Sequence, residues 1–507
     1  MRQFEVVAGA PATVDDAVLQ ALRQAQVGGT FWGAKPPLPS RFVLVRGALA
    51  GRTLPPELAG AEPVAWPEHE ANDPWHMLSG ATALICEPDA EERLVAALLG
   101  VPVYLAEASG TELRQDAADA RQLLARHLPA TVRSPFDGRP IQLPEAIQLC
   151  AFWRDLIDGN RGLVAALGFA FWKQASVAPL LWSGGPDLPF VRSGADVPPG
   201  AVAVWRVKAP VSALAELERT GHPLVEVEDG FLRSQGLGAD CVPPLSVTVD
   251  PLGAYFDPAR PSRLERILQE EAFTAATLER ARLLRERIVA AGLGKYERGT
   301  GGALPRPGGE RRHVLVPGQV EDDRAVLSGG AGLTSNLELL RRVRAAEPDA
   351  FLIYKPHPDV EAGHRKGAVP PEKANELADL VVTDQPISSL LDMVDAVHVN
   401  TSLTGFEALL RGKPVTTHGV PFYAGWGLTR DLGPVPPRRT RRRGLDELVA
   451  ASLLLYPRYL DPVTGLPCPA EIAVERLTKS PRRASSLLVM ARRLQGRLRR
   501  QLGRLVA

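Results

Sequence analysis

From about residue 200 onward, short apolar runs alternate with segments of helical periodicity, and this alternation restricts the fold more than any other feature. "AVAVWRV" and "PLVEVEDGF" read as strands, with the helix "SALAELERTG" between them. A long charged stretch, "PSRLERILQEEAFTAATLERARLLRERIVAAGL", is expected to form two helices. The alternation then restarts with strand "HVLVPG", helix "SNLELLRRVRAAEP", strand "AFLIYKPHP", helix "PISSLLDMVD", strand "AVHVN", helix "GFEALLRG" and strand "KPVTTHG". Apolar strands joined through helices demand parallel sheets, because the crossover helix returns the chain to the same end. "GGALPRPGGERR", residues 301–312, is rich in glycine and proline and reads as an interdomain linker. The expected fold is α/β, GT-B-like, with two Rossmann-like domains and an interdomain cleft. In open parallel sheets, ligands sit at the carboxyl ends of the strands.

Composition narrows the class. The 507 residues are 45% hydrophobic and 23% charged, an ordinary globular balance. A net charge of +1 gives no global field for nucleic acid. Cys86, Cys150, Cys241 and Cys468 are scattered without a CxxC or metal-type spacing, which fits a reducing compartment and gives no zinc or disulfide signal. The start, "MRQFEVVAGAPATVDDAV", lacks a signal peptide's apolar core and cleavage site. No uncharged apolar window reaches the roughly 18 residues of a membrane span. A cytoplasmic protein is expected, needing no metal and no cofactor.

The chain also repeats itself. "HMLSGATALICEPDAEERLVAALLGVPVYL", residues 76–105, echoes "SLLDMVDAVHVNTSLTGFEALLRGKPVTTH", residues 389–418. Both run helix, apolar strand, polar gap, then "ALLG.PV" against "ALLRGKPV". "SPFDGRPIQLPEAIQL" likewise resembles "YLDPVTGLPCPAEIAV". Aligning Gly100 with Gly412 puts Val95 where the later copy has Glu407, so the early copy keeps the fold signal and loses the polar site. The expected layout is a degenerate partial module at 1–145, a helical linker at 146–190, and an acceptor domain at 191–308. A donor domain at 309–440 and a helical C-terminal region at 441–507 complete it.

Polar loops follow the strands of the later copy. "VLVPGQVEDDRAVLSGG" ends an apolar run in Glu321, Asp322 and Asp323, an unusual concentration of negative charge at a strand end. In "YKPHPDV", Lys355 and His357 flank prolines and suit an anionic phosphate oxygen. In "NTSLTGFEALLRG" a Ser/Thr-rich gap enters a helix whose unpaired N–H groups favour anions. Glu407, placed in that helix's first turn, could accept hydrogen bonds from two ribose hydroxyls. Phosphate donors beside a ribose acceptor describe a nucleotide-sugar pocket, and no P-loop or GxGxxG fingerprint competes. In "VEDGFLRSQGLGAD", Glu228 and Asp229 end a strand, and Arg233 and Ser234 follow as candidate acceptor-binding residues in a Gly-rich loop. Carboxylates facing the cleft from both sides fit chemistry at a glycosidic centre.

"EDGFLRSQGLG", "PPLSVTVDPLGAYFD", "LVPGQVEDD", "NLELLRRVR", "YKPHPDV", "GHRKG", "TSLTGFEALLRGKPV" and "PFYAGWGLT" together resemble the KpsC/LipB-type capsule polysaccharide β-Kdo glycosyltransferases. The resemblance runs over about residues 202–474, in family order, and favours the second module of that family's double-module members. It implies a CMP-Kdo donor, a Kdo-terminated phosphatidylglycerol acceptor and a retaining mechanism through a glycosyl-enzyme adduct. The family's Gln-x-x-x-Asp falls on Gln319 and Asp323, making Asp323 the expected nucleophile. Its His-Pro falls on His357-Pro358 for the CMP phosphate, and its Ser…Gly-Phe-Glu on Ser402, Gly405 and Glu407. Glu228 and Asp229 are its acid/base candidates. Other CMP-sugar transfer, or a non-catalytic scaffold among capsule assembly proteins, are the alternatives.

A lipid acceptor calls for contact with the inner leaflet. "SSLLVMARRLQGRLRRQLGRLVA", residues 485–507, sets leucines and arginines on separate faces of a helix, and suits an anionic membrane surface. "PPRRTRRRG", residues 436–444, offers a second basic patch.

Overall fold

The computed structural model describes residues 4–5, 12–46, 54–66, 71–106, 113–116, 119–233, 242–294, 305–363 and 365–479. The chain divides into one compact unit of residues 1–163 and 181–188, and a larger one of 164–180 and 189–507. The tail at 485–507 and Ser234 lie outside the described residues.

The smaller unit holds a five-stranded sheet of β1 (Phe42–Arg46), β2 (Glu62–Trp66), β3 (Ala83–Cys86), β4 (Val103–Leu105) and β5 (Arg114–Gln115), in the order β2-β1-β3-β4-β5. All neighbours pair in parallel except β4 with β5. Every residue of β3 is buried, as expected of a strand covered on both faces. A hairpin of β6 (Thr131–Arg133) and β7 (Pro140–Gln142) then leads into the helix Leu143–Asp158. That helix carries the buried Arg154, whose guanidinium meets the fully buried Asp73 at 2.7 Å.

The larger unit contains two sheets. One begins with β8 (Leu163–Leu167), β9 (Phe190–Val191), β10 (Ala201–Val204), β11 (Leu224–Asp229) and β12 (Ser246–Asp250). The other is built from β13 (His313–Pro317), β14 (Phe351–Lys355), β15 (Leu380–Val381), β16 (Ala396–Val399), β17 (Val415–Thr417) and β18 (Arg430–Asp431). It is parallel throughout, in the order β15-β14-β13-β16-β17-β18. β13 and β14 are buried at all five positions each, in register from His313–Phe351 to Pro317–Lys355. The chain finally returns to the first sheet with β19 (Pro457–Leu460) and β20 (Pro467–Cys468), giving β20-β19-β12-β11-β10-β8-β9.

Two expectations are corrected here. Residues 146–190, expected as a helical linker, supply helices but also β8 and β9 of the seven-stranded sheet. The C-terminal region, expected to be helical, supplies β19 and β20, so that sheet mixes parallel and antiparallel pairs. "LVAAL" and "PRYL" are too short to show a period and are largely buried, so neither alternation nor helical spacing marks them. The basic stretch at 436–444 is likewise partly turned inward. Arg439 is buried, paired with Glu265 at 2.7 Å, donating to the carbonyls of Pro421 and Ala424, and lying over Trp426. Arg438 also pairs with Glu265, and Arg443 with Glu447.

The repeat extends to topology. β2-β1-β3-β4 has the same order as β14-β13-β16-β17. The eight-residue helices Glu92–Leu99 and Leu403–Leu410 both lead to a glycine with positive φ, Gly100 at 74° and Gly412 at 69°. Among the described residues, a β-hairpin and then a helix follow each copy, at β6–β7 and at β19–β20. Val95 is 4% exposed, packed in the apolar core of its own unit. A chain ending at residue 456 would lose β19 and β20 and leave the fully buried edge of β12 unpaired. It should aggregate or bind the dye ANS strongly, whereas a soluble chain with a single sharp urea transition would contradict this account.

Candidate active site

Parallel registry brings the ends of β13, β14 and β16 to one rim, and each strand leads through a short loop into a helix. The residue capping each of these helices carries a polar side chain. Asp323 accepts from the Ala325 N–H at 3.0 Å, capping Arg324–Gly329. His357 accepts at Nδ1 from the Asp359 N–H at 3.1 Å, capping Pro358–Glu361. Ser402 accepts from the Thr404 N–H at 3.2 Å, capping Leu403–Leu410. Such caps satisfy N–H groups that a helix start otherwise leaves unpaired. For His357 the cap also fixes the tautomer: with Nδ1 accepting, the proton of the neutral ring sits on Nε2.

These caps line a cavity between the two sheets of the larger unit. From the six-stranded side come Gln319, Asp323, Lys355, His357, Pro358, Ser402 and Glu407, and from the seven-stranded side Glu228, Asp229, Tyr255, Phe256 and Gly294. Nine of the sequence candidates therefore share one cavity. Gly405 and Arg233 do not line it, and Ser234 lies outside the described residues.

The carboxylate cluster divides its labour. Glu321 accepts from the Asn336 N–H at 2.8 Å, and Asp322 pairs with Arg365 at 3.0 Å. Asp323 alone of the three lines the cavity. Gln319 is held at both ends of its amide, its oxygen accepting from the Thr401 N–H at 2.9 Å and its nitrogen donating to the Thr401 hydroxyl at 3.0 Å. Its work is to join the β13 and β16 loops. Lys355 is buried and donates to the Thr383 carbonyl at 2.9 Å.

Glu407 sits one turn deeper than the sequence suggested, at the fifth residue of Leu403–Leu410, and is 7% exposed. Opposite it stands Gly294, where a Cβ would come within 3.2 Å of a Glu407 carboxylate oxygen. Gly405 serves packing: a Cβ there would fall 2.2 Å from the Tyr423 hydroxyl, which donates to the Ser402 carbonyl.

Across the cavity, Arg324, next to Asp323, donates to Glu228 at 2.6 Å and to Glu226 at 2.9 Å. The guanidinium also lies 5.0 Å from the Phe256 ring centroid. Burial pushes the Glu228 carboxyl up from 4.5 to about 7, with Asp229 and Glu226 adding to the rise and Arg324 opposing it. Asp229 is paired with Arg233 at 2.9 Å and with Lys173 at 3.4 Å. Arg233, expected to meet the acceptor, is fully buried and also donates to the Val242 carbonyl, so its place is behind Asp229. Lys173 lies 3.2 Å from the Trp205 ring centroid. Burial brings its ammonium down from 10.5 to about 8, despite the pull of Asp229.

Residues 200–300 and 303–459 match the family described as capsule polysaccharide biosynthesis protein. The chain belongs to that family. Its relatives include the capsule polysaccharide modification protein LipA of Neisseria meningitidis, 39% identical over 68% of this chain and 50% of LipA. The lipopolysaccharide-processing protein LpsZ of Rhizobium meliloti is 48% identical over 52% of this chain and 60% of LpsZ. The chain thus spans about half the length of the LipA relatives it matches. Two solved structures of Thermosulfurimonas dismutans KpsC resemble it, each covering 62% of this chain and 98% of the solved one. The β-Kdo 2,7 transferase is 34% identical with a TM-score of 0.50, and the β-Kdo 2,4 transferase 33% with 0.54. The chain is thus of the KpsC/LipB type of capsule Kdo transferase.

Sequence reasoning missed Asn336, Arg324, Lys173 and Gly294. The folded Glu228 carboxyl holds its proton more tightly than the unfolded one, so this family member should lose stability as pH rises from about 4.5 to about 7. Glu228→Gln should remove that slope, gaining about 1–3 kcal/mol on the native protein between pH 5 and pH 8 in urea titrations. Parallel titration curves would show that Glu228 is not the group responsible.

Proposed function

We propose that the chain is a retaining β-Kdo glycosyltransferase of GT-B architecture, moving Kdo from CMP-Kdo to a Kdo-terminated phosphatidylglycerol glycolipid in capsule linker synthesis. One observation carries the reading: Asp323 from one sheet and Glu228 from the other line a single cavity with His357, Ser402 and Glu407. The KpsC structures, both of β-Kdo transferases, support the sugar and the reaction.

In this mechanism the His357 Nε2–H donates to the CMP phosphate, and the start of Leu403–Leu410 adds backbone N–H groups. Glu407 accepts from the ribose hydroxyls, in the room that Gly294 leaves. The Asp323 carboxylate attacks the anomeric carbon, the bond to the phosphate oxygen breaks, and CMP departs with the electron pair. The acceptor hydroxyl then attacks the same carbon, its proton passes to Glu228, and the bond to Asp323 breaks. Two displacements return the starting configuration. A carboxyl poised near pH 7 suits the base role. Asp229, held by Arg233 and Lys173, orients the strand end on which Glu228 sits. The lipid acceptor places the work at the inner face of the cytoplasmic membrane.

Asp323→Ala should lower transfer by several orders of magnitude and leave CMP affinity within a few-fold of native. Mass spectrometry of protein quenched with CMP-Kdo should find one Kdo on a peptide containing Asp323. Retention of more than roughly a tenth of the native rate would remove Asp323 from the nucleophile's role. His357→Ala and Glu407→Ala should each weaken CMP binding about ten- to a hundredfold by calorimetry. Unchanged affinity in both would leave the nucleotide site elsewhere.

A further inference from the structure

The cavity is short of positive charge for the ligand proposed above. Five carboxylates line it, from Glu228, Asp229, Asp323, Asp359 and Glu407, against Lys355, Arg365 and the imidazole of His357. Lys355 is buried and its ammonium is engaged by the Thr383 carbonyl. Arg365 is the opposite case. Its side chain is 38% exposed, and Nη2 and Nε both meet a single oxygen of Asp322, at 3.0 and 3.3 Å. An exposed pair of this kind contributes little to stability and exchanges readily for a better anion. The contact holds the guanidinium against the residue that precedes Asp323.

The backbone beside Arg365 is much less free. The Glu321 N–H donates to the Lys366 carbonyl at 3.2 Å, and the Asn336 amide donates to the Gly367 carbonyl at 2.8 Å. Gly367 has φ of 130°, and a Cβ there would stand 2.7 Å from the Gln319 carbonyl oxygen. The segment is therefore tied to the same loop that carries Asp323, with an exposed charge at its tip.

The ligand supplies the second half of the argument. In a 2-keto acid sugar such as Kdo, the anomeric carbon bears a carboxylate as well as the leaving group. A carboxylate nucleophile approaching that carbon meets a second negative charge one bond away. Without a cation there, repulsion would oppose the attack. A guanidinium presents two parallel N–H groups matched to a carboxylate, which an ammonium does not.

We infer that Arg365 forms a subsite for the donor sugar's own carboxylate, leaving Asp322 for the ligand, so that the cavity selects 2-keto acid sugars over neutral ones. This rests on the transferase reading and on Asp323 as its nucleophile. It gives the Asp322–Arg365 pair a holding role until the donor binds.

The test uses the full chain, its Arg365→Gln and Arg365→Lys variants, and three probes: CMP, CMP-Kdo, and CMP-Kdo with its C1 carboxylate converted to a carboxamide. CMP release should favour the acid over the amide by about ten- to a hundredfold in the native protein. Arg365→Gln should bring that preference close to one, and Arg365→Lys should keep part of it. Calorimetry with CMP alone should give affinities within about twofold for all three proteins. An acid preference that survives in Arg365→Gln overturns the subsite. So does a loss of CMP affinity equal to the loss of turnover, which would move Arg365 to the nucleotide phosphate. Native protein that binds CMP but releases none from CMP-Kdo, with no adduct on Asp323, overturns the transferase reading itself and the subsite with it.

Discussion

A buried amide, that of Asn336, holds the donor side of the cavity in shape. Its oxygen accepts from the Gln319 N–H at 2.8 Å, and its nitrogen donates to the Gln319 and Gly367 carbonyls at 2.7 and 2.8 Å. Its backbone N–H meets Glu321. Three segments distant in sequence, at 319–321, 336 and 367, are thus locked into one geometry. The loops of an α/β sheet ordinarily vary and move. This network turns one of them into a rigid mount for Asp323. Gln319 extends the lock to Thr401 and so to the Ser402 cap. Each amide is matched donor to acceptor, the condition under which buried polar groups specify a structure instead of weakening it.

Charge is organised on the same plan. Arg324 leaves the helix that Asp323 caps and reaches Glu226 and Glu228 on the other sheet, so the side of the cavity that carries the candidate nucleophile also tunes the opposite carboxyl. Arg206 holds the other oxygen of Glu226, at 2.9 Å. Lys173 and Arg233 perform a comparable service for Asp229. Two of the five carboxylates lining the cavity, Glu228 and Asp229, are answered by cations that do not line it. For Glu228 burial outweighs Arg324.

How much of this could be read beforehand depends on the distance over which each signal acts. β13, β14 and β16 are short apolar runs that end in polar loops, a local pattern, and the sequence places them correctly. The convergence of Asp323, His357 and Ser402 follows from parallel topology alone. The same holds for the echo between the copies, since glycines and apolar helices repeat in order. What stayed hidden involves partners far apart in the chain. Nothing near Lys173 announces Asp229, 56 residues away, and nothing near Arg324 announces Glu228, 96 residues away. Asn336 looks like any polar residue at a helix start. Arg233 was misplaced because a Gly-rich loop suggests ligand approach, while its burial is a tertiary fact. The strands β8 and β19, each second from an edge of its sheet, escape the sequence reading because too few residues carry their pattern.

Asp323, His357 and Ser402 each do two jobs, since the side chain that faces the cavity also caps the helix behind it. Capping residues are worth about 1 kcal/mol to the helix they start, whatever else they do. A descendant that had abandoned chemistry would still be selected to keep Asp, Asn, Ser or Thr at two of these positions. Their survival in a related sequence is therefore weak testimony to activity. Glu407 lies inside its helix, caps nothing at its start, and faces a cavity that asks for a buried acid. Its counterpart in the smaller unit is Val95, sunk into an apolar core. Among sequences built on this plan, the residue at that single helical position should separate working copies from silent ones better than the more visible aspartate.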